Sequence, residues 1–405
     1  MSRALGSVCL VRLGYYPADP RVRREAEALV DAGFGVDVVC SRGEGESWTA
    51  ASGGVRIYRL PIGHRRGGIG RYAFEYLGFL ALATATVALL HGRRRYRIVQ
   101  VHTMPDFLVF AALVPKLTGA KVVLDMHEVV PELFASKFKL SPSSPAVKAL
   151  AALERVSTRF ADHVLTVSEA TRRVIQRRGL PDSKLTIVMN SADERRFEPR
   201  PRRKHDGLVL VSHGTIVERY GYDTLLRAMT DVVRERPDAR LRIIGGGDLG
   251  GSEYLHHLER LVADLGLARN VELAGYRPLD EIPALLAEAD IGITANEIDE
   301  FTSLIVPTKL MEYVALEIPA VAARSPAVEL YFDDDDVTFF RSGDPRDLAR
   351  AVLAVARDLA AARARAAHAR ARFVPRHGWP RMKETYVDLM LRLAEPRPAR
   401  DLTDH

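Results

Sequence analysis

Cysteine is almost absent from this 405-residue chain: Cys9 and Cys40 are the only two. Two thiols exclude a disulfide framework and a four-cysteine zinc site, and they suit a reducing cytoplasm. Long apolar runs are missing as well. The longest uncharged stretch, residues 76–92, has 17 residues and two glycines. That is short of the roughly 20 predominantly apolar residues of a spanning helix. The apolar start at residues 4–11 stops at Arg12 without a small-residue cleavage pattern, so no secretory signal is expected. Gly-Lys never occurs as a dipeptide, which excludes a Walker A loop. His127-Glu128 lacks a second histidine at zinc-protease spacing, and the four acids at 333–336 read as a solvated turn. No metal site is expected. Nor does one sign of charge dominate: 58 basic against 52 acidic side chains leave +6, too little to argue for nucleic acid.

What is present is a repeated grammar of short Val/Ile/Leu-rich runs and helical patterns. The spacing predicts strands at 7–11, 36–40, 55–58, 98–101, 121–125, 163–167 and 185–189, with helices at 22–32, 69–90, 107–116 and 146–160. The pattern restarts with strands at 208–212, 240–244, 271–274, 291–294, 320–322 and 337–340. Helices at 223–235, 253–265, 282–288, 307–316 and 345–372 separate them. Such alternation marks parallel sheets covered on both faces. The expected fold class is therefore α/β, with two Rossmann-like doubly wound domains facing a central cleft. The domains are expected at 1–190 and 207–374, joined by an arginine- and proline-rich linker at 191–206. Pro375 and Pro380 set off a last element at 375–395, with its helix at 379–393. Strand ends of two such sheets would meet around one ligand cleft.

Three features in that frame carry chemistry. Gly245, Gly247 and Gly250 form G-x-G-x-x-G after a strand and before a helix, where amides can meet phosphate. The motif follows the second strand of its domain, and the acid expected roughly 20 residues on has only Glu272 as a candidate. It reads either as a turn lining a nucleotide cleft or as a turn that needs positive φ. His102 and His127 each follow a predicted strand end. In the segment 301–323, Pro307 is placed at the first helical position and Val306 near the N-cap. Thr308 and Lys309 then occupy the first turn, where Lys309 opposes the helix dipole unless it answers a bound anion. Glu312, one turn on, can accept two hydrogen bonds from a ribose diol; an exposed Lys and Glu on a surface helix is the plain alternative.

The segment from Pro307 to Ala323 resembles the P-x-K-x-x-E-Y-x-A-x-x-x-P signature of retaining GT-B glycosyltransferases of the GT4 group. Other pieces agree in order. Asp19-Pro-Arg-Val-Arg-Arg-Glu-Ala is similar to the group's first helix, and Val101-His-Thr-Met-Pro-Asp and Asp125-Met-His-Glu to its acceptor-domain loops. His213-Gly-Thr-Ile, Ile243-Ile-Gly-Gly-Gly-Asp, Val271-Glu-Leu-Ala-Gly-Tyr and Ala289-Asp-Ile-Gly complete the donor half. The resemblance, over roughly residues 7–394, implies a donor nucleotide sugar held mainly by the C-terminal domain and transferred with retained configuration without a metal. No cofactor is implied. It also implies a final helix crossing back to the N-terminal domain.

Carried over by position, the resemblance implies that Glu312 holds the donor ribose, Gly214 faces the diphosphate, His127 lies beside the donor sugar, and Tyr276 stands at the base pocket. Gly245, Gly246, Thr215 and Thr308 join the expected donor site, and Asp19, Arg21, His102 and His127 the acceptor side. Three departures stand out. Leu304 occupies the first position of the group's E-x7-E pair, so that glutamate's contact with the donor sugar is either missing or supplied by Glu297 or Glu300. Thr215 stands where an arginine is usual, and Tyr220 where a lysine is usual. Arg219 and Lys309 are therefore expected to supply the positive charge that stabilises the leaving diphosphate, with His127 as third catalytic residue.

The expected donor is UDP-linked. The acceptor is a lipid-linked or polysaccharide precursor, or a small-molecule glycoside. Arg65, Arg66, Arg71, Arg93, Arg94, Arg95 and Arg97 flank the apolar helix at 72–90. That pattern fits a surface helix touching anionic membrane at the inner face, or a core helix with solvated basic ends. The competing functions are a non-catalytic nucleotide-sugar-binding protein, a sugar-nucleotide epimerase and, last, an NAD-dependent oxidoreductase.

Overall fold

The computed structural model describes residues 5–63, 69–201, 205–247 and 253–395; Arg65, Arg66 and Gly250 lie outside them. The N-terminal sheet runs through β1 (Ser7–Tyr15), β2 (Gly35–Ser41), β3 (Thr49–Ser52), β4 (Val55–Leu60), β5 (Tyr96–His102), β6 (Lys121–Met126), β7 (His163–Thr166) and β8 (Leu185–Ile187). Its order is β3-β4-β2-β1-β5-β6-β7-β8, parallel throughout except for β3 against β4. Val8, Cys9, Leu10 and Val11 are all buried, as expected of a strand covered on both faces. Helices α1 (Pro20–Asp31), α2 (Ile69–Arg94), α3 (Leu113–Leu117), α4 (Val130–Phe138), α5 (Pro145–Phe160) and α6 (Glu169–Arg177) flank this sheet.

The second sheet has β9 (Val209–His213), β10 (Arg240–Ile244), β11 (Val271–Gly275), β12 (Ile291–Thr294), β13 (Ala320–Ala323) and β14 (Thr338–Phe340) in the order β11-β10-β9-β12-β13-β14. Its helices are α7 (Tyr222–Glu235), α8 (Glu253–Asp264), α9 (Ile282–Leu286), α10 (Thr308–Ala315), α11 (Pro326–Glu329), α12 (Pro345–Arg357) and α13 (Leu359–His377). In both sheets the chain winds outward one way and then returns to the other side of its first strand. The switch points fall between β1 and β5 and between β9 and β12, and their carboxyl ends open onto one cleft.

The last helix, α14 (Trp379–Ala394), belongs to the C-terminal half by sequence and to the N-terminal half by packing. Tyr386 donates its hydroxyl to Gln100 on β5 (2.7 Å), Lys383 pairs with Asp31 (2.7 Å), and Arg97 donates to the Ala394 carbonyl (2.9 Å). At its start the Trp379 amide donates to Glu194 (2.9 Å), and the Arg24 guanidinium lies 4.5 Å from the Trp379 ring centroid. The segment at 191–206, expected as a plain linker, is partly built into this junction: Ser191, Ala192 and Phe197 are buried.

Several boundaries differ from the sequence reading. Pro307 takes an extended ψ and becomes the N-cap of α10 rather than its first residue. The helix expected over 345–372 breaks at Asp358, whose carboxylate caps α13 by accepting from the Ala361 amide (2.9 Å). Pro375 sits inside the last turn of α13, so the break before α14 falls at Gly378. Residues 107–116 form a 3₁₀ segment, Asp106–Ala112, before the short α3.

Candidate active site

The two strand-end clusters line a cleft of about 720 Å³. Its C-terminal wall begins with glycine contacts that leave no room for side chains. Gly245 has φ +154°, and a Cβ there would lie 1.8 Å from the Gly214 carbonyl oxygen. Gly214 (φ +109°) donates its amide to the Ile244 carbonyl (2.9 Å), and Ile216 donates to the Gly246 carbonyl (2.8 Å). Gly221 (φ +67°) is fixed in the same way by the Ala295 carbonyl, 1.8 Å from where its Cβ would stand. The glycine-rich turn is thus both a conformational necessity and a cleft wall.

Helix α10 enters beside these turns. Pro307, its N-cap, has no side chain to satisfy the first-turn amides. Lys309 is buried next to them, with its Nζ 3.3 Å from the Tyr222 hydroxyl and 5.2 and 5.1 Å from the ring centroids of Tyr220 and Tyr222. No carboxylate lies within 4 Å of it among the described residues. Burial lowers its pKa to about 8, against a partial opposing pull from Glu312. Glu312 faces the cleft one turn on and is paired with His213 Nε2; His213 Nδ1 in turn meets the Tyr313 hydroxyl (3.0 Å). Tyr276, 77% exposed, stands at the rim next to Gly246.

The opposite wall is built by α1 and the loop after β6. His127 Nε2 lies 3.0 Å from Asp125 Oδ2, and its amide donates to the Thr103 hydroxyl (3.0 Å). Burial, then the nearby Arg21 charge, pushes the His127 pKa down to about 3, so the imidazole is neutral. Burial would raise Asp125, yet the two imidazoles that face it hold it well below the usual carboxylate range. His102 Nδ1 shares the same oxygen (2.9 Å). These three side chains are the one convergence of possible metal ligands among the described residues. The two ring nitrogens also lie 3.2 Å from each other, and hydrogen bonding by neutral imidazoles to the one carboxylate oxygen is enough to hold the cluster together.

A family model for the Glycosyl transferase 4-like domain matches residues 18–191, and one for Glycosyl transferases group 1 matches residues 207–358. The chain belongs to the GT-B glycosyltransferases. Sucrose-phosphate synthase from Thermosynechococcus elongatus shares its fold, with TM-score 0.78 and 17% identity over 96% of this chain and 99% of that one. Anabaena HepE, solved with UDP-glucose, superposes with TM-score 0.72 and 15% identity over 95% and 99%. Among curated relatives, a GDP-mannose-dependent alpha-(1-6)-phosphatidylinositol monomannoside mannosyltransferase of Mycolicibacterium smegmatis is 36% identical over 149 residues. That alignment spans 35% of this chain and 37% of the relative's own length.

In this GT-B cleft Gly214, Thr215, Gly245, Gly246, Tyr276, Thr308, Lys309 and Glu312 line the C-terminal wall, and Arg21 and His127 the other. Three expected residues sit elsewhere. Arg219 is not among the lining residues: the turn Glu218–Tyr220 directs Tyr220 inward, and the Arg219 guanidinium lies 5.8 Å from the Phe301 ring centroid. His102 is fully buried behind His127. Asp19 caps α1, accepting from the Arg21 amide (3.1 Å), and pairs with Arg12 (3.1 Å) instead of lining the cleft. Leu304 does line it, whereas Glu297 and Glu300 are exposed and do not.

Several cleft residues escaped the sequence reading, Asn190, Arg277 and Asn296 among them, and two bear on the chemistry. His213 could have been found as the last residue of the strand at the switch point. Glu128, beside His127, is with Glu312 one of two carboxylate residues lining the cleft among the described residues.

Proposed function

We propose that the chain transfers a sugar from a nucleoside-diphosphate sugar, UDP-linked, to a hydroxyl acceptor with retention of configuration and without a metal ion. The observation that carries this reading is Lys309, a buried cation without a carboxylate partner among the described residues, at the uncapped first turn of α10. A buried charge is costly unless paired, and a diphosphate supplies the pair. In this arrangement the diphosphate lies against the Thr308 and Lys309 amides and the glycine turns. Glu312, oriented by His213, accepts from both ribose hydroxyls, and the exposed Tyr276 ring stacks on the base.

The sugar then extends toward Leu304 and His127. As the anomeric carbon–oxygen bond to the diphosphate breaks, negative charge grows on the leaving phosphate, and Lys309 with the α10 amides stabilises it where it forms. The acceptor oxygen attacks from the same face, forming the new glycosidic bond, and its proton passes to the departing phosphate oxygen. Neutral His127, its Nε2 turned to Asp125, can accept a hydrogen bond from a sugar hydroxyl at Nδ1 without titrating near neutral pH, and Arg21 and Glu128 border the acceptor's approach. The comparison with a structure solved with UDP-glucose supports a nucleotide sugar in this cleft.

The test is thermal melting with UDP, GDP, ADP and NAD, with Glu312→Ala as control. A ligand at a hundred times its dissociation constant stabilises by about 2.7 kcal/mol. The expected result is a shift with UDP that Glu312→Ala abolishes. A GDP-selective shift would correct the base alone, while an NAD-only shift, or a UDP shift unchanged in the variant, would defeat the site assignment.

A further inference from the structure

Helix α2 has two apolar faces, and only one of them is used. Glu75, Phe79, Ala83 and Val87, spaced four apart, are buried against the N-terminal sheet. The opposite side carries Phe74 and Leu89, each 74% exposed, and Leu77, 60% exposed. At 100° per residue these three fall within about 120° of one another and away from the buried stripe. Short helix α3 packs alongside and extends the patch with Leu113 and Leu117, the latter 78% exposed. A hydrogen bond from His91 to Thr118 (2.8 Å) ties the ends of the two helices together.

Phe74–Arg94 is long and apolar enough to cross a membrane by length and composition. With Phe79, Ala83 and Val87 set in the domain core, however, it lies along the surface of the fold. Soluble proteins rarely expose a contiguous apolar surface of this kind without a partner.

Charge identifies that partner. Arg93 and Arg95 follow the exposed stripe at the helix end and make no ion pair among the described residues; Lys121 stands nearby in the same condition. The one acid of the helix, Glu75, is buried and bonded to Arg71. A second copy docked on this face would find no exposed carboxylate on α2 or α3 to answer its arginines.

We propose that the α2–α3 face docks on an anionic lipid bilayer. Phe74, Leu77, Leu89 and Leu117 enter the boundary between head groups and acyl chains, and Arg93 and Arg95 lie at the level of the lipid phosphates. The surface is separate from the sugar-nucleotide cleft, so its use does not depend on the donor assignment.

The experiment is co-sedimentation of the full chain with vesicles of phosphatidylcholine alone or with about a third phosphatidylglycerol, at low and high salt. Wild type is expected to bind the anionic vesicles and to be released by salt. Leu77→Glu with Leu89→Glu, both at exposed positions, should lose binding at low salt while keeping the wild-type melting temperature. Arg93→Gln with Arg95→Gln should weaken binding about twenty-fivefold, at roughly fivefold per charge. No binding to anionic vesicles, or undiminished binding by the leucine variant, overturns the proposal. So does a wild-type dimer that the leucine substitutions split into monomers, which would make the face an interface between copies.

Discussion

Lys309 is held where an ammonium is expensive to keep, and the sign of that expense is testable. Its folded-state pKa of about 8 lies below the ordinary 10.5. Below about pH 8 the group is charged in both states and the folded state bears the whole penalty; the penalty fades as pH rises from about 8 to 10.5 and is gone above that. Lys309→Met should therefore stabilise the unliganded protein at neutral pH, by on the order of 3 kcal/mol from the size of the shift. The same variant should lose nucleotide binding. Denaturant unfolding and calorimetry read the two effects, and a destabilised variant would mean that the ammonium is well solvated. In the unsubstituted protein, nucleotide affinity should fall as pH rises through about 8, because a neutral amine no longer answers the diphosphate. A flat profile across that range would remove Lys309 from the phosphate site.

At the level of elements, the glycine turns fix the donor wall before any ligand arrives. Gly245→Ala sets a methyl 1.8 Å from the Gly214 carbonyl oxygen at φ +154°, and backbone cannot yield as a flexible side chain can. It should cost at least about 1–3 kcal/mol and impair nucleotide binding, whereas Gly266→Ala, with nothing within 4 Å of its added carbon at φ +69°, should keep binding at a smaller loss of stability. Paired melting curves with and without UDP separate the two; equal losses of binding would detach the turn from the site. The same elements show what a sequence can and cannot express. Buried parallel strands are legible because both faces are covered, so Val8 to Val11 reads as a continuous apolar run and Val36 to Cys40 as one interrupted only by the buried Asp37. Strand β3 is invisible because Thr49–Ser52 is a wholly exposed edge with no apolar side to alternate. Helix α6 begins with a Ser168–Thr171 reciprocal cap, which lacks the acidic partner that usually betrays a helix start. Lys309 and Glu312 were readable together because one helix carries both. The Glu312–His213 pair joins residues far apart in sequence, and the inward turn of Tyr220 that displaces Arg219 depends on packing; local spacing encodes neither.

For the whole molecule, the question is why two separately wound sheets stay registered across one cleft. The clasp is α14. A single buried cluster runs from Val8 and Leu10 of the first sheet through Trp379, Met382 and Tyr386 to Leu310 and Met311 of α10, so the donor helix and the acceptor sheet share a core. Trp379 is its pivot: 4% exposed, under the Arg24 guanidinium, with its amide tied to Glu194. Wild type should unfold calorimetrically in one transition, since neither domain completes its packing without the helix. Trp379→Ala removes a buried indole at a cost of about 3–5 kcal/mol and deletes the cation–π contact. Its expected effect is to split the melt in two, with UDP raising only the transition of the domain that holds Glu312 and Lys309. A Trp379→Ala protein that still melts in one step, shifted as a whole by UDP, would show that the cleft walls are coupled through contacts other than this helix. The loop contact between Ser136 on α4 and Asp299 (2.5 Å) is the next place to cut.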